Sequence, residues 1–107
     1  MTTVRVEILV TPDCRVVEAL TERIAALVRQ LAIDVEMRTT YVRSQRTAIL
    51  RGMAGSPSVR INGFDIEHST LEMGSLDLRL YSGEAIPSCE LISKALERAW
   101  RDSTKRF

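Results

Sequence analysis

The strongest nucleophiles in this sequence are its two thiols, Cys14 and Cys89, and each directly follows a proline and a polar residue. Cys14 closes Thr11-Pro12-Asp13-Cys14, behind an alternating apolar run and ahead of an amphipathic one. In the first turn of a helix a thiol meets unpaired backbone N–H groups and the positive end of the helix dipole, which favour the reactive thiolate. Arg15 would add to that effect and Asp13 would oppose it. Cys89 follows Pro87-Ser88, with Ser88 suited to the N-cap and Glu90 to the first turn, so it too is expected in a first turn. The chemistry open to such thiols is attack on a disulfide, or capture of a soft ion such as Cu(I) or Hg(II) where two thiolates converge. The plain alternative is that Cys14 is an inert small residue at a turn. A Cys14–Cys89 disulfide needs Cα atoms within about 7 Å, whereas neighbouring helix axes lie about 8–10 Å apart, so direct bonding is possible but not favoured.

Other chemistries lack their residues. The one histidine, His68, falls in an aperiodic stretch with no Cys-x-x-Cys pair and no Gly-x-Ser-x-Gly motif, so zinc and serine-hydrolase sites are not expected and His68 reads as a solvated loop residue. Gly52, Gly55 and Gly63 are explained by turns rather than by a phosphate loop, and no cofactor is implied. Arg38, Arg43, Arg46 and Arg51 could hold an anion such as glutathione or form a solvated face. With 15 Lys+Arg against 14 Asp+Glu the net charge is +1, which gives no field for nucleic acid. The basic end around Trp100-Arg101 and Lys105-Arg106-Phe107 reads as a frayed terminus. Tyr41, Met73 and Tyr81 read as packing or surface residues.

At 107 residues and 45% hydrophobic composition the chain should form a single domain over 1–107. No apolar run is long enough for a membrane span, no signal-peptide pattern opens the sequence, and two distant cysteines suggest free thiols in a reducing cytoplasm. Val4, Val6, Ile8 and Val10 alternate with polar residues and predict a strand over Val4–Val10. Val16, Leu20, Ile24, Leu27 and Leu31 then recur at helical spacing. Ile33, Val35 and Met37 alternate again, implying a parallel strand–helix–strand crossover. A weaker helix is expected over 43–53, ending at Gly52 or Gly55. Ser58–Ile61 and a strand over 64–67, joined by Asn62-Gly63, predict a tight type I′ hairpin. Residues 68–86 carry no sustained period, and 87–100 place Leu91, Ile92, Ala95, Leu96, Ala99 and Trp100 on one helical side.

The order βαβαββα, the cysteine where the first strand meets the first helix, and Gly55-Ser56-Pro57-Ser58-Val59 at the start of the third strand resemble the thioredoxin-like fold. That class is α/β, a central four-stranded mixed sheet flanked by helices. More narrowly, TPDC at 11–14, GSPSVRINGFDIE at 55–67 and LYSGEAIPSCELISKAL at 80–96 resemble small bacterial thioredoxin-like proteins labelled alkylmercury-lyase-like. The resemblance implies a cis Ser56–Pro57 bond facing the thiol, and a backbone edge at Ser56, Pro57 and Ser58 that receives an extended peptide or glutathione. It also implies a last helix starting at the same end of the sheet as the first, where Ser88 and Cys89 resemble in position a carboxylate-binding helix start. The chain departs from the family at two places. The Cys-x-x-Cys motif reads Cys14-Arg15-Val16-Val17, which rules out dithiol exchange within the motif, and Leu78 stands before Arg79-Leu80-Tyr81 where the narrower group often has a cysteine.

Three functional readings follow. In the first, Cys14 is the nucleophile of a single-thiol exchange with glutathione or a protein disulfide, Pro57 shapes the groove and Cys89 resolves the mixed disulfide. In the second, the chain is a non-enzymatic thioredoxin-like binding module, so its being an enzyme stays open. In the third, Cys14, with Cys89 and a nearby acid such as Asp13, cleaves or sequesters an organomercurial or binds a soft metal. The oligomeric state is not legible in the sequence.

Overall fold

The computed structural model describes residues 3–67, 71 and 73–104. Along the chain run β1 (Val4–Val10), α1 (Val17–Leu31), β2 (Val35–Tyr41), α2 (Gln45–Arg51), β3 (Ala54–Ser56), β4 (Ser58–Ile61), β5 (Phe64–Asp65), β6 (Ser75–Leu78) and α3 (Cys89–Thr104). β1 pairs in parallel with β2 from Val4↔Val35 to Val10↔Tyr41, and antiparallel with β4, Val6 facing Ile61 and Leu9 facing Ser58. β5 runs antiparallel to β4, giving a four-stranded mixed sheet in the order β2-β1-β4-β5.

The alternation in β1 explains the layers. Val4, Val6, Ile8 and Val10 are buried on one face against Leu20, Ile24 and Leu27 of α1 and Ile92 and Leu96 of α3. Burying each such side chain contributes about 1.5–3 kcal/mol before entropy is counted. Leu9 points the other way and joins Val42, Ala48 and Met53 beneath α2, so β1 is covered on both faces at its C-terminal end. Nearer its start the second face is polar. There Glu7 stands between Arg38 of β2 and Arg60 of β4, an alternation of charge across three strands that favours this register.

Local signals set the element ends. α1 closes on Ala32 in the left-handed conformation (φ 55), with Ala32 N–H bonded to Arg29 O and Ile33 N–H to Val28 O, a Schellman closure. Ile33 is therefore used in ending the helix. The second strand, expected over 33–38, runs instead over Val35–Tyr41, because every residue of β1 finds a partner in it. α2 is capped by the Ser44 side chain, which accepts from Thr47 N–H, and ends at Gly52 with φ 67. Asn62 (φ 52) and Gly63 (φ 85) make the expected tight hairpin turn, and Asn62 also exchanges hydrogen bonds with the Arg5 backbone. β5 stops at Asp65, short of the expected 64–67, since the Asp65 carboxylate turns back to accept from Glu67 N–H. α3 continues past residue 100 to Thr104.

The stretch expected to lack regular structure holds a strand. β6 pairs in parallel with β3, Ala54 facing Ser75 and Ser56 facing Leu78, in a second, two-stranded sheet. His68 lies outside the described residues. Among the described residues no helix is long and apolar enough to cross a membrane.

Candidate functional site

Cys14 lies at the C-terminal end of β1, half-buried against the main core. The turn that carries it is closed by Cys14 N–H bonding to Thr11 O at 3.1 Å. α1 begins only at Val17, with Val16 as an N-cap that offers no side-chain hydrogen bond. Cys14 is thus two residues ahead of the N-cap, and the expectation that it occupies the first helical turn is corrected: Thr11-Pro12-Asp13-Cys14 folds as a separate turn. Asp13 holds its carboxyl below the usual range, chiefly through the Thr11 hydroxyl and its own backbone N–H, with a smaller contribution from Arg15. The Cys14 turn therefore carries a fixed negative charge beside the Arg15 cation.

This turn is tied to the Ser56-Pro57-Ser58 segment. Thr11 N–H donates to Ser56 Oγ at 3.0 Å, and the two hydroxyl oxygens are 3.4 Å apart. The Ser56–Pro57 bond is cis. Ser56 and Ser58 are buried, at 3% and 1% exposure, and their hydroxyls are engaged within the protein. Ser58 Oγ donates to Gly55 O at 2.6 Å and accepts from Arg79.

The backbone edge expected to be open at this segment is filled by the chain itself. Arg79 N–H donates to Ser56 O at 2.8 Å, continuing the β3–β6 ladder, and the Tyr81 hydroxyl donates to Pro57 O at 2.7 Å. The Arg79 guanidinium, 2% exposed, forms a two-pronged pair with Asp65 at 2.6 and 2.7 Å and also donates to Glu67 O. It lies 4.7 Å above the Tyr81 ring. Burial alone would weaken the Arg79 charge, but the bonds to Asp65 and the neighbouring acidic groups outweigh it and raise its pKa. Burial pushes the Tyr81 phenol well above its ordinary value of 10.0, against the opposing pull of Arg79. Gly55, at φ 93, permits this closeness, for a Cβ there would lie 2.4 Å from Leu71 Cδ1 and 2.9 Å from Arg79 Cβ.

Cys89 is the first residue of α3 and exposed, and Ser88 caps the helix by accepting from Leu91 N–H at 3.1 Å. At its other end α3 meets the hairpin turn through Ser103 and Asn62, and Asn62 holds the start of β1. The start of α3 therefore lies at the end of the sheet where β1 leads to Cys14, and Arg23 of α1 joins the two helices by donating to Pro87 O at 2.8 Å. Both cysteines are free thiols. Among the described residues no group of three or more His, Cys, Asp and Glu side chains could hold a metal ion. Arg43, Arg46 and Arg51 are exposed, while Arg38 stands opposite Glu7.

The residues that sequence reasoning missed are Asp65, Arg79 and Tyr81. Leu76, Leu78 and Leu80 alternating with Asp77, Arg79 and Tyr81 was a strand signal within 68–86. Comparison with protein-family models, with curated proteins and with solved structures finds no match.

Proposed function

We propose that this chain is a thioredoxin-like single-thiol protein of a reducing compartment, in which Cys14 reacts with a small thiol, such as glutathione in its disulfide form, or with a disulfide of a partner protein. Support for the fold comes from the strand order β2-β1-β4-β5, with α1 and α3 packed on one face and α2 on the other. The observation that carries the function is the Thr11–Ser56 hydrogen bond, which holds the Cys14 turn beside the cis Ser56–Pro57 segment at the end of the central strand. In this scheme the Cys14 thiolate attacks one sulfur of a disulfide, the S–S bond breaks and the second sulfur leaves as a thiolate that takes up a proton. Val17 occupies the place of a second motif cysteine, so release needs another thiol, supplied from solution or by Cys89.

A second reading, the non-enzymatic binding module, is favoured by one observation: the edge beside Pro57 is already paired with Arg79 and Tyr81. Exchange with a thiopyridyl disulfide, followed through thiopyridone release in a Cys89→Ser background, separates the two. The thiol reading expects stoichiometric release from the folded chain that Cys14→Ser abolishes. Release only after unfolding in urea would leave the binding module standing.

A further inference from the structure

The segment 75–81 lies along β3 and the Ser56-Pro57 segment, to which the Cys14 turn is tied through Thr11, in the manner of a docked peptide. Its backbone contributes the Arg79 N–H to the Ser56 carbonyl, and its Tyr81 side chain covers the Pro57 carbonyl. Two acceptors that an incoming extended chain would use are therefore taken. The segment is anchored by the Arg79–Asp65 pair, by Ser58 and by Glu67 O, and among the described residues no buried side-chain polar atom is left unpartnered. Leu76 packs against the Leu9–Met53 cluster beneath α2, whereas Leu78 and Leu80, beside the Ser56-Pro57 segment, are 65% and 54% exposed. Over residues 79–81 it is polar groups, reaching Ser56 O, Pro57 O, Ser58 Oγ and Asp65, that fix it in place.

From this we infer that residues 75–81 act as a built-in occupant of the docking edge, limiting the Cys14 thiol to compact disulfides and excluding those carried on an extended polypeptide. The inference rests on the thiol reading above and narrows its substrate class. Asp65, Arg79 and Tyr81 are its positioning residues. They act by keeping the edge filled and do not touch the reacting sulfur.

The test compares two carriers that share one leaving group, 2-mercaptoethanol and a short blocked cysteine peptide, each activated as its thiopyridyl disulfide. Cys14 Sγ attacks the carrier sulfur, the bond to the thiopyridyl sulfur breaks, and thiopyridone is released with the electron pair and a proton. Rates are measured on the full chain in the Cys89→Ser background and divided by those of free cysteine with the same carriers. The folded chain should prefer the small carrier by at least about tenfold, a difference of ~1.4 kcal/mol. In Asp65→Asn and in Tyr81→Phe, checked for folding by circular dichroism, the peptide rate should rise while the small-carrier rate holds. Normalised rates equal for both carriers would overturn the inference and leave the thiol reading intact. A discrimination that persists undiminished in folded Tyr81→Phe would also overturn it, so the outcome does not depend on Asp65→Asn folding. Failure to react with either carrier until urea is added would remove the thiol reading and this inference together.

Discussion

Removing either partner of the Arg79–Asp65 pair should destabilise the protein unequally, and burial decides the order. The Arg79 side chain is 2% exposed, whereas that of Asp65 is 32% exposed. Asp65→Ala leaves a guanidinium without a counter-charge in a site closed to water, a situation that typically costs about 3–5 kcal/mol. Arg79→Met leaves a carboxylate that water already reaches, so the loss reduces to the charge-assisted hydrogen bonds and the contact with the Tyr81 ring, ~2–3 kcal/mol in all. The double variant Asp65→Ala/Arg79→Met strands no charge, and its cost should fall below the sum of the two by at least about 1 kcal/mol. Urea unfolding followed by circular dichroism and by the fluorescence of Trp100 gives the three free energies. They are resolvable against a total stability of roughly 5–15 kcal/mol for a domain of this kind. Arg79→Met costing as much as Asp65→Ala, or strictly additive losses, would refute the assignment of a desolvated arginine held by a half-wet partner.

The Schellman closure of α1 places an alanine where the backbone is left-handed, so Ala32→Gly should raise stability by ~0.5–1 kcal/mol, read as an increase in the urea midpoint at unchanged slope. Gly55→Ala should cost ~2–5 kcal/mol, from its left-handed backbone and from overpacking against Leu71 and Arg79, and a loss under about 1 kcal/mol would show that Leu71 and Arg79 do not press on β3. Tyr81 has a folded pKa raised above its ordinary 10.0, so its stabilising contribution is complete below that pH and declines as pH rises through and beyond it. The wild-type urea midpoint should therefore fall more steeply above pH 10.0 than that of Tyr81→Phe, and parallel profiles would exclude a buried phenol.

The parts of the fold that were legible in the sequence are those where polarity and burial agree. β1 alternates and its apolar set is the one buried, α1 and α3 keep their stripes toward it, and Asn62-Gly63 turns where its two left-handed residues require. β6 was hard to read because its alternation of apolar and polar residues does not match its burial. Leu76 packs against the Leu9 cluster but Leu78 is exposed, and just past the strand Leu80 faces solvent while Arg79 and Tyr81 are buried, which a polarity pattern reads the wrong way round. Arg79 is buried because Asp65, some way back along the chain, accepts both of its prongs, and no local window contains that pairing. Cys14 was placed correctly at the end of β1. It was misplaced with respect to α1 because Thr11-Pro12-Asp13 signals a helix cap as readily as the separate turn it forms.

The two-stranded sheet of β3 and β6 carries a dynamic consequence. β1 is hydrogen-bonded on both sides and covered by helices, so its amides should exchange with solvent only when the whole domain opens. Among the described residues β6 has one strand neighbour, and the ion pair beside it closes a loop spanning just 14 positions, Asp65 to Arg79. Its release removes the Arg79–Ser58 bond and the cover of Leu76 over Leu9 but leaves the pairing of β1 with β2 and β4 and the core between α1 and α3 in place. These differences predict two cooperative units of unequal depth. Native-state hydrogen exchange should find β6 and the Ser56 region opening as a shallow foldon with modest denaturant sensitivity, and β1 and β4 exchanging at the global limit.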